Sequence, residues 1–143
     1  MPPSSTNEKI KRSSAAPVRQ DIYIGPNTTA PNSNLKGIFE DATRIFAGFA
    51  QPQSFYAVYY RFQDKDWAKA KFAELNISYL AGQIDGSCGS LQRCNGASAG
   101  KVSGTVGFSQ YGVTEPGGQT DTYHLEGGLE IHEYTHIAQA MQF

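Results

Sequence analysis

The residues in this chain best suited to chemistry are His132, Glu133 and His136, within the run His132-Glu133-Tyr134-Thr135-His136. Four residues make about one turn of an α-helix, so both imidazoles project from one face. Two ring nitrogens spaced this way can fill two corners of a zinc tetrahedron. Glu133 follows the first histidine on nearly the same face. Its position suits a general base that takes a proton from zinc-activated water better than it suits a third ligand. An ordinary helix with two surface or hydrogen-bonded histidines carries the same pattern by chance. The surroundings favour metal binding. On a helical wheel Ile131, Tyr134, Ala138 and Met141 fall opposite the histidines, while Leu129 and Ala140 flank them. A helix buried in this way needs a reason for a polar stripe, and ligation supplies one.

The elements that position this helix are legible upstream. Leu35, Ile38, Phe39, Ala42, Ile45, Phe46 and Phe49 recur at helical spacing and predict a long amphipathic helix, with Lys36, Glu40, Asp41 and Arg44 on its solvated side. Residues 21–24 read as a short strand closed by Gly25-Pro26-Asn27. The aromatic run Phe55–Phe62 reads as a strand buried on both faces. Asp64 or Asp66 is expected to cap a helix from Trp67 to Leu75, and residues 77–80 read as a short strand. Residues 81–100 form a Gly/Ser/Cys loop. Val102, Val106 and Phe108 then alternate with Ser103, Thr105 and Ser109, a half-buried strand pattern. Gly104, Gly107 and Gly112 suggest a weak or edge strand that something approaches closely. The order of elements implies an α/β or α+β layer arrangement.

The 143 residues allow one domain with a real core, and an aromatic content of 12% argues against global disorder. The first twenty residues form a basic Ser/Pro-rich tail, with Lys9, Lys11, Arg12 and Arg19 against Glu8. The remaining body is mildly acidic and a poor partner for phosphate backbones, so no nucleic-acid partner is expected. No apolar run reaches the length of a membrane span. The tail has no apolar core of a secretory signal, which leaves an intracellular protein or one whose leader has been removed. Cys88 and Cys94 sit in a polar loop whose spacing favours a small disulfide, and with it an oxidising compartment. Two free thiols in a reducing compartment are the alternative. Asn27-Thr28-Thr29 and Asn76-Ile77-Ser78 match the glycosylation acceptor pattern, which is common by chance.

From Gly127 to Gln142 the chain resembles the zincin metallopeptidases, and over residues 21–126 its element order is loosely similar to theirs. The resemblance implies an α+β (or α/β) zincin-like subdomain over residues 21–143. Within it, residues 34–50 correspond to a long backing helix, residues 101–111 to the substrate-binding edge strand of a small mixed twisted sheet, and residues 126–143 to the active-site helix. Thr105, Gly107 and Ser109 are then candidates to pair with an extended peptide substrate by strand addition. The resemblance also implies Zn2+ on His132 and His136, and peptide-bond hydrolysis with Glu133 as general base.

Departures from the family narrow this. Metzincins carry a glycine and a third histidine where this chain has Gln139 and Gln142, which disfavours that subgroup. In gluzincins the third ligand is a glutamate on a later helix, which here would fall beyond Phe143. The expectation is therefore an incomplete chain, with a missing C-terminal subdomain that brings the third ligand. Upstream, His124 is a possible extra ligand; Asp121 and Glu126 also precede the helix, and Glu130 is expected to be a surface carboxylate. Three readings stand: a secreted or cell-surface zinc peptidase, a catalytically inactive zincin-like module that binds metal or a partner, and a small secreted binding domain whose histidines are structural.

Overall fold

Three parallel strands form the frame: β1 (Arg19–Ile24), β2 (Ser54–Tyr60) and β4 (Val106–Gly112). A fourth, β3 (Ala97–Lys101), runs antiparallel along the outer side of β4. The sheet order is β1-β2-β4-β3. The computed structural model describes residues 17–89, 93–113 and 127–143. The helices α1 (Leu35–Ile45), α2 (Lys65–Glu74), α3 (Ala81–Ser87) and α4 (Gly128–Ala140) complete the described elements. This is an α+β fold with a small mixed sheet.

Strand alternation sends each side chain of the sheet to one of two cores. Phe55, Ala57 and Tyr59 of β2, with Tyr111 of β4, face α1 and α4 and pack with Phe39, Ala42, Tyr134, Ile137 and Ala138. Val58 and Tyr60, with Phe108, face α2 and α3 and pack with Phe72, Ile77, Leu80 and Ile84. The aromatic run over β2 is buried on both faces, as its composition predicts. Phe55 is the hinge of the first core: its ring meets Phe39 edge-on at 5.0 Å and Tyr134 at 5.4 Å, tying α1, β2 and α4 together.

Several expectations are corrected. Arg19 and Gln20, read as tail, belong to β1 and pair with Ser54 and Phe55. The backing helix stops at Ile45, not at residue 50. Its last turns tighten, with Ala47 N donating to Arg44 O and Phe49 N to Phe46 O, and Ile45 and Phe49 are left exposed. Residues 77–80 are not a strand. Asn76 adopts a left-handed φ of 64°, Ile77 N donates to Phe72 O and Asn76 N to Ala73 O. That pair of bonds is a Schellman cap, which reverses the chain and drops Ile77 onto Phe72. A short 3-10 turn, Ser78–Leu80, follows. The loop expected over 81–100 contains α3 and β3. Neither is legible from propensity, because Ala97-Ser98-Ala99-Gly100-Lys101 has no β-branched residue and depends on pairing with β4. Cys88 and Cys94 are joined in a disulfide beside α3.

The largest correction concerns residues 101–111. β4 is an interior strand, because Gly107 pairs with both Phe55 and Lys101, and Ser109 with both Ala57 and Ala99. Thr105, just before the strand, already accepts at its carbonyl from Gln53 N (2.8 Å). Gly107 and Ser109 therefore have no free edge to offer a substrate strand. The close approach suggested by the glycines is real at two positions. A Cβ on Gly107 would lie 2.6 Å from Ile137 Cγ2 of α4, and one on Gly112 about 3.1 Å from Cys94. Gly104 has nothing near it.

Candidate metal centre

Helix α4 starts on Gly127, which adopts φ 88°. A side chain there would be strained, and its Cβ would lie 2.8 Å from Ile38 of α1, so glycine lets the helix begin hard against α1. Farther along, Ile137 rests over Gly107. These two close contacts seat the helix against α1 at its start and against the sheet farther along.

The helix is not wholly buried, as its wheel suggested. Tyr134, Ile137 and Ala138 are buried, Ile131 and Met141 only partly, and His132 and His136 face solvent. The two imidazoles stand with ring centroids 5.0 Å apart and nearly perpendicular. Glu133 lies between this face and the core, with its side chain 7% exposed and Oε2 3.9 Å from His132 Nε2. Burial raises the pKa of Glu133; His136 and His132 pull it down in part, and the charge on Glu130 adds to the rise.

One donor atom each from His132, Glu133 and His136 lies within 4.8 Å of the others, and this is the grouping of that kind found among the described residues. Zinc with nitrogen ligands at its usual bond length needs donors about 3.3 Å apart. Both histidines are exposed, which leaves their side chains room to turn toward a shared ion, and nitrogen and carboxylate donors are of the type zinc takes. His124, together with Asp121 and Glu126, lies outside the described residues. Of Thr105, Gly107 and Ser109, Gly107 lies against Ile137, the residue after His136.

Glu130 was misread as a surface carboxylate. It is fully buried beneath α4 and accepts a hydrogen bond from the Tyr59 hydroxyl at Oε2 (3.0 Å). Tyr59 is stacked on Tyr111, with centroids 4.4 Å apart and planes 10° from parallel. Burial raises the pKa of both phenols, so each stays a neutral hydroxyl. The missed signal lies on the helical wheel. At about 100° per residue, Glu130 falls within the arc formed by Ile137, Tyr134 and Ala138. A carboxylate within an apolar arc is a buried group that needs a partner.

Comparison with known proteins adds no relative: no family model, no curated protein and no solved structure matches this chain.

Proposed function

We propose that this chain is a zinc-dependent peptidase acting on peptide or protein substrates, with His132 and His136 as metal ligands and Glu133 as general base. The observation that carries the proposal is Glu133 itself, a carboxylate withdrawn from solvent beside two exposed imidazoles on one helix. A zinc ion held there supplies a Lewis acid that polarises a carbonyl and makes water more acidic. Glu133 would take the proton of the attacking water and pass it to the leaving amine. An extended substrate has a free edge to join in β3, which packs against α4 and, among the described residues, pairs with β4 alone. The third ligand that catalytic zinc normally takes comes, in this proposal, from outside the described residues. The Cys88–Cys94 disulfide supports an extracellular or cell-surface location.

A second reading is a zincin-like module that binds metal or a partner without turnover. The same donor set favours it, since two imidazoles accompany Glu133 among the described residues. Zinc analysis and peptide hydrolysis on one set of proteins separate the two. The peptidase binds one zinc per chain, loses it in His136→Ala, and keeps it in Glu133→Gln while hydrolysis falls about 10²–10⁴-fold. Zinc retention with no hydrolysis by the parent protein selects the module. Absence of zinc from the parent protein refutes the peptidase and the metal-binding form of the module, and leaves a module that binds a partner alone.

A further inference from the structure

We infer that Glu130 and Tyr59 form a buried pin that fixes the rotation of α4 and so aims His132, Glu133 and His136; the inference rests on the metal-centre reading above. Tyr59 lies on β2, in the interior of the sheet, and is fully buried. Its ring is clamped against Tyr111 of the neighbouring strand, so the hydroxyl has little freedom to follow a moving partner. That hydroxyl donates to Glu130, in the first turn of α4.

The geometry of a helix turns this one bond into a constraint on the site. Glu130 stands about 200° around the axis from His132 and about 240° from His136. The pin therefore holds the back of the helix, and the histidines are presented outward. A slip of one residue would turn the helix by about 100°, carry Glu130 off the tyrosine and bury an imidazole. Apolar contacts alone resist such rotation weakly, because they lack direction. Ile137 over Gly107 fixes the height of the helix, whereas a hydrogen bond to a stacked phenol fixes its angle. Glu130 touches neither substrate nor metal in this account, so it is a positioning residue. It acts as a hydrogen-bond acceptor.

The same strand supplies a matched control. Tyr60, the next residue, is also fully buried but points to the opposite face, where its hydroxyl donates to Gln110 Oε1 (2.6 Å). Tyr60→Phe deletes a comparable buried bond without touching α4.

The test uses the full chain with Tyr59→Phe, Glu130→Ala, Glu130→Gln and Tyr60→Phe. It combines competitive Zn2+ titration with the imidazole resonances of His132 and His136 in the metal-free protein. Tyr59→Phe and Glu130→Ala should each weaken zinc binding by about tenfold or more, in the range seen when outer supports of metal ligands are removed. Both should shift the two imidazole resonances. Glu130→Gln, whose amide oxygen still accepts from Tyr59, should restore both readouts, and Tyr60→Phe should change neither. Unshifted imidazoles in Tyr59→Phe and Glu130→Ala overturn the pin, as does a Glu130→Gln protein that behaves like Glu130→Ala. If the parent binds no zinc, the metal reading falls, and the imidazole shifts still decide the pin.

Discussion

Asp64 and Glu133 are both acids lying almost out of solvent, and their surroundings differ in the supply of donors. Asp64 sits where the loop after β1 meets the end of β2. It accepts from Asn27 N (2.9 Å), Asn27 Nδ2 (2.8 Å) and the Thr28 hydroxyl (2.5 Å). Thr28 Oγ1 in turn accepts from Arg61 N, and Arg61 Nη1 donates to the Asn27 carbonyl. Gly25 leaves room for the carboxylate, because a Cβ there would lie 2.3 Å from Asp64 Oδ2. Glu133 has no such ring of donors among the described residues; the His132 imidazole stands 3.9 Å away. A buried acid saturated with donors spends its charge on holding the chain together. One that is buried without them keeps a high affinity for protons, which is the property a general base uses.

Exchanging each carboxylate for its amide breaks or sharpens this contrast. The largest expected effect is on chemistry. Glu133→Gln removes the base, and with it about 10²–10⁴-fold of hydrolysis, as stated above. The contrast predicts in addition that thermal stability holds or rises, since a poorly solvated charge is exchanged for a neutral group. A clear loss of stability in Glu133→Gln would make it a structural acid like Asp64.

Asp64→Asn should do the reverse. An amide presents only one acceptor oxygen, and its NH2 then opposes the donors of Asn27 or Thr28. The cost is about 2–4 kcal/mol from unsatisfied buried donors, read as a fall in Tm of on the order of 10 °C. Zinc affinity, measured on the folded protein, should not change. A stable Asp64→Asn protein would remove the structural half of the comparison.

Gly127→Ala comes next. It forces a left-handed φ on alanine and drives its Cβ into Ile38, at a cost of about 1–3 kcal/mol. Because Gly127 lies at the entry to α4, this variant should lose zinc affinity along with stability. Calorimetric melting paired with zinc titration tests whether the two losses go together.

What was legible in the sequence follows the same division. α1 stood out by its helical apolar spacing, whose Leu35, Phe39 and Ala42 are buried, and β2 by an unbroken aromatic run that matches burial on both faces. The spacing of His132, Glu133 and His136 was legible because one helical turn decides it. β3 was hidden, since its residues carry no strand preference and only tertiary pairing makes it a strand. The burial of Glu130 and Asp64 was hidden for another reason. Charge normally predicts exposure, and the partners that overturn this come from distant positions, Tyr59 for the one and Asn27 and Thr28 for the other. The interior position of β4 was lost with β3, because a strand reads as an edge until its neighbour is found.

A third acid completes the series. Asp85 on α3 accepts from Lys69 Nζ on α2 at 2.5 Å, and its side chain remains 66% exposed. A short distance invites the inference of a strong bond, but water competes for both groups, and ordering the lysine costs entropy. Exposure decides the outcome over distance. Asp85→Asn should therefore cost less than about 1 kcal/mol, and high salt should shrink even that difference. Denaturant melts of Asp85→Asn and the parent at low and high ionic strength provide the measurement. A loss as large as that of Asp64→Asn would mean that donor proximity alone, without burial, governs the worth of an acid in this fold, and the contrast between Asp64 and Glu133 would then have to be argued on distance.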